Sequence, residues 1–229
     1  MQNISSDLSS LWKQELNTID KYEDYLKGFT KMKDPFIVHM ENYAEENRVP
    51  IMDSNAVEAL IGLLRIHKPA RILEIGSAIG YSAIRIALAL PLSSVLTIER
   101  DAVRYAKAIE FINRIELTDR IQIIEADALE LTSDEVFGCK FDAIFIDAAK
   151  GQYKRFFEKY SPTLSTNGVI YCDNMFMHGM VLNEDADIPR RNRTMIRKLK
   201  EFTEWVMNHP GYDSVLLPIG DGILIAAKK

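Results

Sequence analysis

From Lys68 onward the chain alternates short, almost wholly apolar runs with longer amphipathic ones, and this rhythm restricts the fold more than any other feature. The runs "ARILEI", "SVLTI", "RIQIIEA", "FDAIFI" and "GVIYC" are β-rich, while "YSAIRIALAL" and "AVRYAKAIEFINRI" between them have helical spacing. Strands apolar on both sides need cover on both sides, which crossover helices between parallel strands provide. The expected core is a doubly wound, mostly parallel α/β sheet. The end of the chain breaks the rhythm: "SVLLPIG" and "ILIAAKK" flank a Gly-Asp-Gly turn and read as an antiparallel hairpin.

The segment before Lys68 reads as a helical extension. Trp12, Leu16, Ile19 and Leu26 fall at helical spacing after a Ser-Ser-Asp start. A second helix is expected near Asp34-Pro35, and a third in "MDSNAVEALIGLLRIHK" with Asp53 or Ser54 as its cap. No repeat or Gly/Ser/Pro linker divides the chain, so residues 1–229 read as a single domain, helical over 1–68 with an α/β core over 69–229. A 47% apolar and 27% charged composition is that of a folded globular chain. No apolar run is long enough to span a bilayer, and the N-terminus lacks the pattern of a secretory signal. Cys139 and Cys172 have neither metal-type nor disulfide-type spacing, which points to a reducing cytoplasm. A net charge of -5 opposes general coating of nucleic acid but leaves room for a local basic patch.

In such sheets ligands bind beyond the carboxyl ends of the strands, and this chain places acids there. "ILEIGSAIGYSAI" is a strand, a turn and a helix start with Gly76 and Gly80 in a G-x-x-x-G spacing. The middle glycine of the dinucleotide fingerprint, which lets backbone approach a pyrophosphate, is missing. The turn suits a ligand without phosphates, such as S-adenosylmethionine. Glu99 ends the next strand, about twenty residues on, where an acid accepts from ribose hydroxyls. Asp127 and Ala128 end the third, placed to meet an adenine edge. Each acid has a plain alternative as a helix cap, but three strand ends in order describe an adenosine pocket.

Asp147, Asp173 and Asn174 end the next two strands and offer two carboxylates and an amide oxygen. All-oxygen donors select a hard cation such as Mg²⁺ or Ca²⁺ over zinc. A cation would also compensate two carboxylates that otherwise repel at the end of a core. His39, His67, His178 and His209 are not spaced to join them and read as surface or packing residues.

Taken in order, "LEIGSAIGYS", "TIER", "FDAIFIDAAKGQY" and "DN" resemble the cation-dependent O-methyltransferases, the family of catechol and caffeoyl-CoA methyltransferases. The resemblance runs from about Tyr43 to the end, with a Rossmann-like class I methyltransferase fold as its implication. "YAEENRVPIM", "IGYSAIR", "FIDAAKGQY", "WVMNHPGY" and "PIGDG" are most similar to the bacterial branch that methylates 5-hydroxyuridine in tRNA. It implies that Met52 lines the methionine part of the cofactor pocket and Ser82 contacts its carboxylate, with Gly76 in the cofactor-binding turn. Glu99 would take the ribose and Asp127 with Ala128 the adenine. Asp147 would lie near the cofactor's amino group and, with Asp173 and Asn174, hold the metal. Lys150 matches the catalytic lysine, and a homodimer is implied.

The chemistry follows from these parts. A divalent cation favours the oxyanion of a bound hydroxyl at neutral pH, and Lys150 is placed to take the proton. Two oxygens on adjacent carbons chelate one cation, an arrangement shared by a catechol and by O4 and O5 of 5-hydroxyuridine. The wobble base of a tRNA anticodon loop can be turned out into such a pocket. "PRRNRTMIRKLK" supplies Arg190, Arg191, Arg193, Arg197, Lys198 and Lys200, with Ile196, Leu199, Thr203 and Val206 facing inward on the same helix. The expectation is methylation of 5-hydroxyuridine at tRNA position 34; a catechol-like small molecule is the alternative substrate.

Overall fold

A computed structural model of the chain describes residues 25, 29, 32–184 and 186–229. The helix expected around Trp12, Leu16, Ile19 and Leu26 lies outside the described residues. Residues 40–229 form one compact unit and residues 1–39 another. Helix α1 covers Pro35–Glu46 and α2 covers Ser54–His67. Asp53 caps α2 by accepting from the backbone N–H groups of Asn55 and Ala56, and the helix ends on Lys68 in the left-handed region.

The sheet has seven strands: β1 (Arg71–Ile75), β2 (Ser94–Glu99), β3 (Ile121–Glu125), β4 (Phe141–Ile146), β5 (Leu164–Cys172), β6 (Tyr212–Leu217) and β7 (Ile223–Lys228). Their order is β3-β2-β1-β4-β5-β7-β6. The first five are parallel, whereas β7 runs antiparallel to both β5 and β6, so the hairpin closes one edge. Helices α3 (Tyr81–Ala89), α4 (Ala102–Arg114), the short α5 (Asp134–Phe137), α6 (Tyr153–Tyr160) and α7 (Arg190–Met207) connect them.

The apolar runs are explained by burial. Ile72, Leu73, Ile75, Ala143, Ile144, Phe145 and Ile146 are all essentially inaccessible. Burying each large aliphatic side chain contributes about 1.5–3 kcal/mol, enough to dominate a strand's placement. Strand order reverses between β1 and β4, so a crevice opens at their carboxyl ends. Glu99, Asp127, Asp147 and Asp173 lie at or just past the ends of β2, β3, β4 and β5. Among the described residues, no helix is long and apolar enough to cross a membrane.

Candidate functional site

The turn after β1 is drawn tightly against the turn after β4. The N–H groups of Gly76 and Ser77 both donate to the carbonyl of Ile98, and Asp147 N–H donates to Ile75. Gly76 has φ +98, and a Cβ there would stand 2.1 Å from the carbonyl oxygen of Asp147. Only glycine fits. Helix α3 begins at once after Gly80, and its first turn is fixed by side chains. Tyr81 donates to Glu41 at 2.6 Å and Arg85 donates to Tyr81 at 2.8 Å. Ser82 donates to Glu74 Oε1 at 2.5 Å, and Thr97 to Glu74 Oε2. Glu74 is wholly inaccessible on β1. Burial pushes its carboxyl up to about 7, against the hydrogen bonds from Ser82 and Thr97 that pull it down.

Glu99, at the end of β2, is buried and braces two loops. One oxygen accepts from Ala78 N–H at 2.8 Å, and the other from Arg100 and Asp101 N–H at 2.9 and 2.8 Å. Asp101, not Glu99, caps α4. Asp127 Oδ1 accepts from Leu129 N–H at 2.8 Å while Oδ2 faces Arg100 at 3.5 Å. Ala128 is buried and its carbonyl accepts from Tyr160 at 2.6 Å. Met52 is buried just before the Asp53 cap.

At the ends of β4 and β5 the environment changes. Asp173 is 1% exposed, and neither carboxylate oxygen has a hydrogen-bond partner among the described residues. Burial, and after it the neighbouring Asp147 carboxylate, drive its carboxyl above the usual carboxylate range. Asp173 N–H donates to Ile146, which places it directly beside Asp147. Lys150 donates to Asp147 Oδ1 at 2.5 Å with its Nζ also 5.6 Å from the centre of the Tyr153 ring. Tyr153 is buried and donates to the carbonyl of Asp173 at 2.8 Å. Asn174 follows in a left-handed conformation, its Nδ2 donating to Asp221 Oδ2 at 3.4 Å.

Among the described residues, no three His, Cys, Asp or Glu side chains form a metal-ready cluster. The set here is two carboxylates and an amide, a donor set suited to a hard cation. A buried carboxylate with no donor near it is costly unless paired, so Asp147, Asp173 and Asn174 fit a divalent cation.

Helix α7 packs its Lys198 and Met195 beside Gly151, next to Lys150. Ile196, Leu199, Phe202 and Val206 face the core, whereas Thr203, expected to face inward, is only part-buried. The basic face is partly engaged within the protein. Arg193 donates to the carbonyls of Ile188 and Ala186, Lys200 to that of Asn183, and Arg197 pairs with Glu201. Arg190 and Arg191 stay exposed at the start of the helix.

Sequence reasoning passed over Glu74, Ser77 and Asp221. An acid inside the apolar run "RILEI" was a signal for Glu74. Ser77, whose buried hydroxyl has no partner among the described residues, looked like one more turn residue. Asp221 was read only as part of a hairpin turn.

A strand order reversing at β1 and β4, a glycine turn without the dinucleotide spacing and acids at successive tips define a class I methyltransferase. The chain belongs to the O-methyltransferase family, whose model matches residues 30–229. It is 32% identical to a catechol O-methyltransferase of Niastella koreensis, over 94% of this chain and 99% of that protein. A crystal structure of a Staphylococcus aureus protein, provisionally assigned as a caffeoyl-CoA O-methyltransferase, superposes with a TM-score of 0.82 and 35% identity. That match covers 91% of this chain and 98% of that one. An O-methyltransferase from Bacillus cereus, solved in complex with SAH, gives 0.76 and 25%, covering 91% and 97%. The protein is an S-adenosylmethionine-dependent O-methyltransferase.

Proposed function

We propose that the protein methylates the 5-hydroxyl of 5-hydroxyuridine at the wobble position of tRNA, giving 5-methoxyuridine, with a divalent cation, Mg²⁺ foremost, held by Asp147, Asp173 and Asn174. The observation carrying this reading is the buried, unpartnered Asp173 carboxylate beside Asp147 and its ion pair with Lys150. When bound, the cation supplies Lewis-acid stabilisation of an oxyanion, and S-adenosylmethionine supplies an electrophilic methyl group on sulfur. The residues of the chain do the rest. Met52, Gly76, Ser82, Glu99, Asp127 and Ala128 hold the cofactor along the tips of β1 to β3. Tyr153 and Asp147 fix Lys150 beside the acceptor, where its Nζ, once it has given up a proton and stands as the neutral amine, takes the hydroxyl proton as the methyl passes from sulfur to oxygen.

Two features support tRNA. The wobble base offers adjacent O4 and O5 to the cation, and the exposed Arg190 and Arg191 stand on the helix that adjoins the Lys150 turn. The free cysteines accord with a cytoplasmic enzyme, and the family resemblance supports a homodimer. A catechol-like substrate is the second reading, favoured by the name of the Niastella koreensis relative. Labelled cofactor incubated with bulk tRNA and with a catechol separates the two. Label in 5-methoxyuridine, lost with EDTA and restored by Mg²⁺, is expected. Label in the catechol alone rejects the tRNA reading, and label indifferent to EDTA rejects the cation.

A further inference from the structure

The turn that follows β5 is an unusual piece of backbone. Asn174, Met177 and His178 have φ of 56, 48 and 53, and Gly179 has 79. Left-handed conformations at residues with a Cβ persist where surrounding contacts dictate them. Here the contacts come from the Gly220-Asp221-Gly222 turn between β6 and β7. Phe176 N–H donates to the carbonyl of Asp221 at 2.8 Å and Met175 N–H to that of Gly222 at 3.1 Å. His178 N–H donates to Asp221 Oδ1 at 2.6 Å. The other oxygen, Oδ2, receives Asn174 Nδ2. The Asp221 side chain is 10% exposed, so its carboxylate is held between these two donors rather than solvated. Gly222 lets the two turns close: a Cβ there would strike the Phe176 ring at 2.7 Å.

An asparagine amide has two chemically different ends of nearly equal size. A carboxylate accepts from the nitrogen end and repels the oxygen end. We infer that Asp221 is a positioning residue for the cation site: by taking Nδ2 of Asn174 it turns Oδ1 toward Asp147 and Asp173, and by taking His178 N–H it holds the turn that carries Asn174. This rests on the reading that Asp147, Asp173 and Asn174 bind a divalent cation. The charge of Asp221 also acts on Asp173, so it strengthens the negative field in which a cation would sit. Partners that orient a metal ligand in this way typically alter metal affinity by about 10–100-fold when removed.

The test uses the full chain and Mn²⁺ alone, with free Mn²⁺ read by electron paramagnetic resonance. Asp221→Asn keeps size and a hydrogen-bonding side chain but presents an amide that can meet either end of Asn174; Asp221→Ala removes the contact. Both are expected to weaken Mn²⁺ binding about 10–100-fold, with Asp221→Asn retaining SAH affinity measured without metal and the wild-type melting temperature. High Mg²⁺ should restore its methyl transfer. If wild type binds Mn²⁺ and Asp221→Asn binds it equally well, the inference falls while the cation reading stands. If Asp221→Asn loses SAH, Mn²⁺ and thermal stability together, the residue is merely structural and the inference falls. A wild type that ignores Mn²⁺ removes the cation reading itself.

Discussion

At the tips of β2 and β3, Glu99 accepts three backbone N–H groups and Asp127 one; at the tip of β5, Asp173 is more deeply placed than either and meets no donor at either oxygen among the described residues. The half of the crevice proposed to take the nucleoside is therefore finished by the protein's own backbone. Its acids brace the loops that shape it, and folding alone sets its form. In the other half the charges of Asp147 and Asp221 both act on Asp173, and Lys150 pairs with Asp147. One half is a socket. The other carries negative charge that the proposed cation would compensate.

The strongest challenge to this contrast removes one acid from each half. Asp173→Asn is expected to lower Mn²⁺ affinity and methyl transfer by more than about 100-fold, because a direct ligand outweighs the partners that orient it. SAH binding should survive. Since burial raises the Asp173 carboxyl in the folded state, ionising it destabilises the metal-free protein at higher pH, and the asparagine variant should melt higher there. Glu99→Gln should show the reverse pattern: weaker SAH binding and a lower melting temperature, with Mn²⁺ binding retained. Matching profiles for the two variants would erase the distinction.

Glu74 sharpens it by pH. Below about 4.5 the carboxyl is protonated in both states; between 4.5 and about 7 the unfolded chain releases the proton that the folded chain keeps. Stability contributed by this group is thus lost as pH rises through that window, by on the order of 3 kcal/mol. Glu74→Gln should flatten that slope in urea unfolding of cofactor-free protein at pH 4.5, 6 and 8. Parallel curves would show that Ser82 and Thr97 fully compensate the burial.

The smallest effect concerns the basic helix. Replacing Arg190 and Arg191 with alanine should weaken tRNA binding and reduce the salt slope by about 1–2, with folding unchanged. Arg193→Ala should instead lower thermal stability, because its guanidinium holds the Ala186 and Ile188 carbonyls. An unaltered salt slope in the double variant would leave the helix without a part in RNA binding.

The strands, the hairpin and the tip acids were legible in the sequence because each is local: apolar runs report burial, and an acid ending such a run reports a strand tip. Interactions across long separations were not. Asn174 and Asp221 are 47 residues apart, and nothing in "PIGDG" says that its acid faces another turn. Helical spacing put Arg193 and Lys200 on the outer face correctly, yet it cannot say whether the donors there meet phosphate or the carbonyls of a neighbouring loop. The left-handed run at Met177, His178 and Gly179 likewise depends on contacts from another hairpin, and only glycine advertises such a conformation by its identity.

The absent side chain of Gly76 makes the two halves neighbours with a common wall. A single added carbon would collide with the Asp147 carbonyl, so the turn after β1 and the backbone of Asp147, the proposed cation ligand, must shift together or not at all. Attempts to widen the proposed donor pocket from this position would displace Asp147. Re-engineering for bulkier alkyl groups has to begin elsewhere on the rim.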